Sequence, residues 1–395
     1  MKVEKSASGA AEVFAAFLKL GLTSFGGPVA HLGYFRAEFV ERRKWLSESS
    51  YADLVALCQF LPGPASSQVG IAIGLSRGGY LGALAAWTAF TLPSAIILVL
   101  FAYGLAAVGS GGGGWLHGLK VAAVAVVANA ILGMARTLTP DRERATLAIA
   151  AIAIAFAVPS ALGQIAAILL GGAVGMLLPR GALATDPTVL PIPVGRTTGA
   201  IALSIFAVLL AALPLLASLT GSSSVRLFDI FYRVGSLVFG GGHVVLPLLK
   251  AEVVPVWVNS DAFLAGYGAA QAVPGPLFTF AAYLGAVIGG WKVAVLCLVG
   301  IFLPSFLLVV GLLPFWDQLR KRPAAQAALR GVNAAVVGLL LAAFYDPVWT
   351  AGIVTKSDYA LAAAAFVLLF MWNTPPWLVV LLCAAGGQAL AAMAA

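Results

Sequence analysis

Four short turns rich in glycine and proline interrupt the apolar segments of this 395-residue chain, and the chemistry they offer is that of the peptide backbone. Proline removes a backbone donor and breaks a helix, whereas glycine lets the chain turn sharply. A half-helix that starts after such a turn exposes unpaired N–H groups and roughly half a positive charge. These groups bind a ligand without covalent chemistry, so the turns are the best candidates for a binding site. They are Phe25-Gly26-Gly27-Pro28, Leu61-Pro62-Gly63-Pro64, Phe239-Gly240-Gly241-Gly242 and Val273-Pro274-Gly275-Pro276.

Several polar side chains close to the turns could supply further donors. Ser66, Ser67 and Gln68 follow the second turn, Thr279 follows the fourth, and Gln59 and Gln271 precede them. The plainer interpretation is that hydroxyls near a helix start are caps and that glycines serve close helix packing. The full candidate set is Ser24, Phe25, Gly26, Gly27, Pro28, His31, Gln59, Pro62, Gly63, Pro64, Ser66, Ser67, Gln68, Gly240, Gly241, Gly242, His243, Gln271, Pro274, Gly275, Pro276 and Thr279.

The histidines and cysteines do not form a catalytic or metal-binding pattern. His31 and His243 each follow a glycine pair. Each is either a protonatable group that strengthens anion binding or a hydrogen-bonded group beside the cavity. The chain has three histidines and three cysteines, with no CxxC spacing and no paired acids in the apolar segments. An enzyme would need a nucleophile–base pair, a carboxylate dyad or a metal cluster, so we expect neither catalysis nor a metal or cofactor.

The composition places the whole chain in a membrane. Of its residues 61% are hydrophobic and 10% are charged, against roughly 25% charged in soluble domains. Several apolar runs reach the ~20 residues that a spanning helix needs, and the ~10-residue alternation of a membrane β-barrel is missing from the sequence. The net charge is +8, and the basic residues lie in short clusters between apolar runs. This is the pattern of cytoplasmic loops and argues against nucleic-acid binding.

An internal repeat relates the turns to one another. Residues 21–27 match residues 235–241 at an offset of 214, and Pro62-Gly63-Pro64 matches Pro274-Gly275-Pro276 at an offset of 212. Leu92-Pro93-Ser94 then matches Leu303-Pro304-Ser305 at an offset of 211. We therefore predict a first repeat over 1–180, a linker with one extra transmembrane helix over 181–222, and a second repeat over 223–395.

Basic residues predict that the two repeats are inserted in opposite orientations. Arg42, Arg43 and Lys44 follow the first turn, whereas the matching stretch of the second repeat holds Lys250 and two acids. The Gly-rich loop at 108–114 is uncharged, whereas its counterpart contains Arg320, Lys321 and Arg322. Basic loops stay cytoplasmic, so the repeats are inverted, and each segment that contains a turn enters and leaves on one side.

The predicted fold is therefore an all-α, polytopic membrane protein with inverted repeats and re-entrant helices. We count nine full spans and four re-entrant helix pairs, about 13 membrane segments. The expected location is the cytoplasmic (inner) membrane, with the N-terminus in the cytoplasm and the C-terminus outside. The sequence leaves open whether the chain forms a homodimer.

At these motifs the chain resembles the chromate ion transporter family in its long, two-half form. The residues that carry the resemblance are Phe25-Gly26-Gly27-Pro28 with His31, the run from Ala52 to Gln68, Phe239-Gly240-Gly241-Gly242-His243, and the run from Gln271 to Pro276. The resemblance covers essentially the whole chain. It implies efflux of chromate linked to the membrane potential, with sulfate as the physiological look-alike, and hence chromate resistance.

A doubly negative oxyanion suits the chemistry of the turns. Bringing it into a low dielectric is costly unless donors and positive potential replace its water. The apolar segments contain almost no basic residues. The donors and the positive potential must therefore come from the half-helix starts expected at Pro28, Pro64, Gly242 and Pro276. The alternatives are uptake or exchange of sulfate, molybdate or a small organic acid, and an anion channel.

Overall fold

The computed structural model of the chain describes residues 7–108, 113–178, 194–239, 242–319 and 321–394, and these residues form helices with no strand. The helices are α1 Ala7–Thr23, α2 Gly27–Arg36, α3 Glu48–Phe60, α4 Ala65–Val108, α5 Gly114–Leu138, α6 Arg142–Ala157, α7 Ala161–Leu177, α8 Arg196–Thr220, α9 Ser223–Leu237, α10 Val245–Val253, α11 Ser260–Ala272, α12 Phe280–Leu312, α13 Trp316–Leu319, α14 Pro323–Ala343, α15 Thr350–Gly352, α16 Lys356–Phe370 and α17 Pro376–Ala394.

The helices end and restart at the glycine- and proline-rich turns. α2 and α4 begin at Gly27 and Ala65, each within one residue of the predicted start. In the second repeat the structure differs slightly, because short 3-10 turns at Gly242–Val244 and Leu277–Thr279 come before α10 and α12. Such turns tighten a helix end through i→i+3 hydrogen bonds and are common at helix starts.

Two long helices, α4 and α12, carry the chain away from the turns. Each contains a kink at a glycine, at Gly79 in α4 and at Gly289–Gly290 in α12. The stretches beyond the kinks, 80–108 and 291–312, contain Pro93 and Pro304 respectively. The two helices therefore share one plan, a short arm that leaves a turn and a long arm with a proline in it.

The chain is built to span a membrane. Among the described residues, six helical stretches are long and apolar enough to cross one: Ala65–Ala107, Gly114–Leu138, Arg196–Thr220, Leu277–Leu319, Pro323–Gly352 and Pro376–Met393. Leu81, Leu177 and Leu219 are more than two-thirds exposed, as lipid-facing side chains are. The helices α6 and α7 have 16 and 17 residues, fewer than the ~20 of a typical span. The count of nine spans and four re-entrant pairs therefore stays a prediction.

Two hydrophobic cores meet where the turns lie. The first core is built on α1, α3 and the start of α4 up to Phe90, together with the end of α12 from Leu308. The second takes α4 from Ala95 onward and α12 up to Phe302. Each long helix thus passes from one core to the other at its internal proline.

Candidate functional site

The first turn is joined to the start of α4 by a buried histidine. Nε2 of His31 donates to the Ser24 carbonyl oxygen at 3.1 Å, because a carbonyl oxygen can only accept. In the neutral ring Nδ1 is then an acceptor, and it lies 3.2 Å from Ser66 Oγ. His31 is 1% exposed. It therefore holds the end of α1 against the first turn of α4.

Backbone hydrogen bonds connect the turns of the two repeats crosswise. The Gly63 N–H donates to the Val238 carbonyl oxygen at 2.6 Å, and the Gly275 N–H donates to the Ser24 carbonyl oxygen at 2.9 Å. Gly63 and Gly275 are equivalent positions of the repeat, and so are Ser24 and Val238. The second turn of each repeat is thus bonded to the first turn of the other, which gathers the turns in one place.

Gly63 and Gly275 are equivalent positions of the tight turns at which only glycine fits. Their φ angles are +121° and +96°, in the region that side chains other than glycine rarely adopt. A Cβ on Gly63 would lie 2.7 Å from Ser305 Oγ, and a Cβ on Gly275 would lie 2.9 Å from Ser94 Oγ. The two serines are equivalent positions of the repeat, so each tight turn packs against the same serine of the opposite repeat.

A small cavity opens between the turns. Its volume is about 40 Å³, room for a few waters, since one water needs roughly 10–15 Å³. His243 lines the cavity, and its Nδ1 lies 2.8 Å from the Tyr267 hydroxyl oxygen. The residues around the cavity are Gly26, Gly27, Pro28, His243, Ala270, Gln271, Val273, Gly275, Leu277 and Pro376.

The starts of the half-helices present their N–H groups without side-chain caps. No side chain accepts a hydrogen bond from the first turn of α2, of α10 or of the 3-10 turn at Leu277–Thr279, within the described part of the chain. The helices α3 and α11, which lead into turns, are capped by Ser47 and Asn259. The starts of α5, α8, α9 and α14 also lack a side-chain cap, so the helix starts at the turns share this feature with helices elsewhere.

Most of the predicted side-chain donors are already engaged. Ser66 is bonded to His31, Gln68 Nε2 donates to the Pro62 carbonyl oxygen at 2.6 Å, and Thr279 Oγ1 donates to the Pro276 carbonyl oxygen at 2.8 Å. Ser67 Oγ and Gln271 Nε2 are buried and have no partner among the described residues. Together with Ser24, whose Oγ is also buried and unpartnered among those residues, these are predicted side chains with a donor left for a ligand.

The remaining candidates are distributed unevenly around the turns. Gln59 is exposed, although its repeat equivalent Gln271 lines the cavity. Phe25 packs near Trp377 of α17, with ring centroids 5.8 Å apart. Pro64, Pro274 and Pro276 are buried in the turns and Pro62 is half-buried. Gly240 and Gly241 lie outside the described residues.

Sequence reasoning missed three hydroxyl residues at this site, Thr91, Ser94 and Ser305. All three are at most 1% exposed, and they lie at the prolines where the long helices change core. The signal was present, because the Leu-Pro-Ser motif recurs in both repeats. It could not indicate that each serine faces the tight turn of the opposite repeat.

Each repeat has an ion pair across its first turn, and the two ion pairs lie at equivalent positions. Lys19 Nζ lies 3.8 Å from Glu38, and Arg233 Nη1 lies 2.7 Å from Glu252. Lys19 and Arg233 are equivalent in the repeat, as are the two glutamates. Arg233 also binds Asp229, at 3.0 Å. Each pair joins the helix before the turn to the segment after it.

Comparison with known proteins identifies the relatives of this chain. The family model described as "Chromate transporter" matches residues 11–176 and again residues 225–388. The chromate transport protein of Pseudomonas aeruginosa is 30% identical over 402 residues, which cover 95% of this chain and 90% of that protein. A probable chromate transport protein of Synechococcus elongatus is 30% identical over 333 residues, covering 83% and 81% of the two chains.

A shorter relative matches part of the chain. An uncharacterised transporter of Bacillus subtilis is 32% identical over 121 residues, which are 30% of this chain and 68% of that protein. No solved structure matches this chain. These relatives are all described as transporters or transport proteins, and none of the three is described as an enzyme.

Proposed function

This chain belongs to the chromate transporter family, and we propose on that premise that it is a secondary transporter that exports chromate across the cytoplasmic membrane and so confers chromate resistance. The substrate binds at the turns, where the candidate residues of both repeats meet. Membrane potential or anion exchange drives the transport.

The observation that carries this proposal is the crossed pair of hydrogen bonds from Gly63 and Gly275. These bonds gather turns whose half-helix starts have no side-chain caps. Helix N-termini are ready-made sites for anions, because their free N–H groups and the helix dipole both favour negative charge. A tetrahedral dianion exchanges its water for these donors without needing a buried lysine or arginine.

Two ion pairs near the ends of the long arm of α4 support the predicted inversion of the repeats. Arg77, just before the kink, pairs with Glu12 of α1, whereas Lys120, in the second turn of α5, pairs with Asp261 of the second repeat. The 29 residues of 80–108 lie between these two pairs, about 43 Å at 1.5 Å per residue. This separation supports our proposal that the loops around α1 and those around α11 belong to opposite faces of the membrane. Two inverted halves around a central site are the usual architecture for alternating access.

A wider cavity lies at the end marked by Lys120. It measures about 440 Å³ and is lined by residues of α4, α5, α11 and α12, among them His117, Lys120 and Asn259. Lys120 is paired there with Asp261, which also lines the cavity, so both charges of this ion pair lie at its wall. We take this cavity as the outer vestibule of the transport path.

The membrane potential favours the outward direction of chromate transport. Moving one charge through 100 mV is worth about 2.3 kcal/mol, so a dianion gains about 4.6 kcal/mol on leaving a cell with a negative interior. Uptake would need co-transported cations. The described residues contain no cluster of histidines, cysteines and acids that could hold a metal ion.

The test is chromate flux in proteoliposomes made with the purified chain at a controlled potential. We expect saturable, electrogenic chromate transport that sulfate competes for and that slows when the potential is collapsed. Trans-stimulation by internal sulfate would identify exchange. Flux that does not saturate would indicate a channel, and a chain that moves sulfate but never chromate would overturn the assignment of substrate.

A further inference from the structure

Hydroxyl side chains in the helices of this chain usually donate to a carbonyl of their own helix. Ser76 Oγ donates to Ile73, Ser236 Oγ to Tyr232 and Thr220 Oγ1 to Leu216, at 2.7–2.8 Å. This is the ordinary way to satisfy such a group in an apolar segment. Four buried hydroxyls have no partner at all within the described ranges: Ser24, Ser67, Thr91 and Ser305.

All four of these hydroxyls belong to residues at the crossed turns. The Ser24 carbonyl accepts from Gly275, and Ser67 lies in the first turn of α4. Thr91 follows Phe90, whose carbonyl oxygen lies 3.0 Å from the position of a Cβ on Gly275. Ser305 Oγ lies 2.7 Å from the corresponding position on Gly63. Each residue is at most 2% exposed.

The unpartnered groups at the turns can nearly all donate a hydrogen bond, although a hydroxyl can also accept one. Beside the four hydroxyls stands the amide nitrogen of Gln271 at the cavity, and one acceptor, Gln68 Oε1, is also without a partner among the described residues. If one hydroxyl turned to Gln68, three would remain. Because a buried donor without an acceptor is costly, this excess of donors fits a ligand that is rich in acceptors.

We propose that Ser305 is a substrate-binding residue and that the donors around it select oxyanions that carry no proton. This inference rests on the proposed function, since it concerns the same site. Chromate and sulfate offer four oxygen acceptors at neutral pH, whereas phosphate keeps at least one P–OH group. That group must donate to a hydroxyl, whose own proton then points away from the ligand and lacks an acceptor, and a site rejects a ligand that leaves its buried polar groups badly paired.

Ser305 has a natural comparison in the other repeat. Its equivalent Ser94 is just as buried, but Ser94 Oγ donates to the Thr91 carbonyl oxygen at 3.1 Å. Loss of the hydroxyl from Ser94 removes a bond within one helix. Loss of the hydroxyl from Ser305 removes a group that is free for the ligand.

The experiment compares Ser305→Ala, Ser305→Cys, Ser94→Ala and the control Ser76→Ala in full-length protein in proteoliposomes. We expect Ser305→Ala to raise the chromate concentration for half-maximal flux about 10-fold, the loss expected for one hydrogen bond to a charged ligand. Ser305→Cys, with a weaker donor of similar size, falls between alanine and wild type. Ser94→Ala has a smaller effect, and Ser76→Ala leaves transport unchanged.

Competition between anions gives a readout that packing alone would not change. Sulfate should inhibit wild-type chromate flux far better than phosphate, and Ser305→Ala should narrow that preference several-fold. An unchanged half-maximal concentration, or equal losses for sulfate and phosphate, would refute the inference.

A binding measurement separates this inference from the proposed function. Anions that bind the folded protein raise its melting temperature, so thermal stabilisation of the purified chain by sulfate and by phosphate reports selectivity without transport. Wild-type protein that fails to move chromate but prefers sulfate, with the preference reduced in Ser305→Ala, would reject the proposed function and keep the inference. Equal stabilisation by both anions would reject the inference.

Discussion

At the scale of single residues, the site depends on which donors are free rather than on which are nearby. Ser66, Gln68 and Thr279 lie beside the turns, but each donates to a neighbouring group. Ser67 and Gln271 keep an unused donor. A side chain's type and place in the sequence cannot decide this, because the choice depends on its rotamer and on the tertiary neighbour it meets.

The two equivalent glutamines give a direct test at this scale. Gln271 lines the cavity with its amide nitrogen unpartnered in the described structure, whereas Gln59 is exposed. We expect Gln271→Leu to weaken chromate binding 5- to 20-fold, because one hydrogen bond to a charged ligand is worth about 1.5–3 kcal/mol, less what a relaxing site recovers.

Gln59→Leu is the matched comparison, and we expect it to have the smaller effect. Half-maximal chromate concentrations from proteoliposome flux measure both variants. Equal losses in the two variants would mean that the glutamines act alike and that the cavity beside Gln271 is not where the ligand binds.

At the scale of elements, the broken segments need something to hold their two arms together. The ion pairs Lys19–Glu38 and Arg233–Glu252 do so at equivalent places. They differ in strength, because Lys19 is about half exposed and its contact is 3.8 Å, whereas Arg233 is 23% exposed and also binds Asp229. Exposed pairs contribute little, and breaking a largely buried one leaves a charge without compensation.

We therefore expect Arg233→Gln to destabilise the protein by about 2–3 kcal/mol, because Asp229 and Glu252 would lose their shared partner. Lys19→Gln should cost less than about 1 kcal/mol, since Arg42 and Arg43 still bind Glu38. Melting temperatures of the purified variants in one detergent provide the measurement. A larger fall for Lys19→Gln would contradict this account of the two pairs.

The elements were predictable to different degrees. The turns could be predicted, because glycine and proline act locally and the sequence repeats them. The helix starts in the first repeat also fall within one residue of expectation. The 3-10 turns of the second repeat, the passage of α4 and α12 between two cores, and the contact of Gly63 with Ser305 depend on distant residues, which periodicity does not report.

At the scale of the whole molecule, the turns of the two repeats form one cluster rather than two. The turns of each repeat bond to those of the other, and each long helix packs in both cores. The predicted inversion explains how this is achieved, since a two-fold axis in the membrane plane brings equivalent turns face to face.

Labelling of single cysteines tests the inversion. Ser49 lies in the first turn of α3 and Val256 lies between α10 and α11, and both are exposed. Cys58, Cys297 and Cys383 are buried. In intact cells a membrane-impermeant maleimide should label Val256→Cys and reach Ser49→Cys only after the membrane is opened. Labelling of both from the same side would rule out inverted repeats.

The crossed hydrogen bonds of Gly63 and Gly275 also have an evolutionary consequence. A one-residue insertion beside either glycine would leave an amide of one half and a carbonyl of the other without their hydrogen-bond partners. Loop lengths on the two halves are thus constrained jointly, and we expect them to change in step among homologues. A chimaeric protein that joins halves from two distant family members would fold when the tight turn of each half still forms its hydrogen bond to the other half.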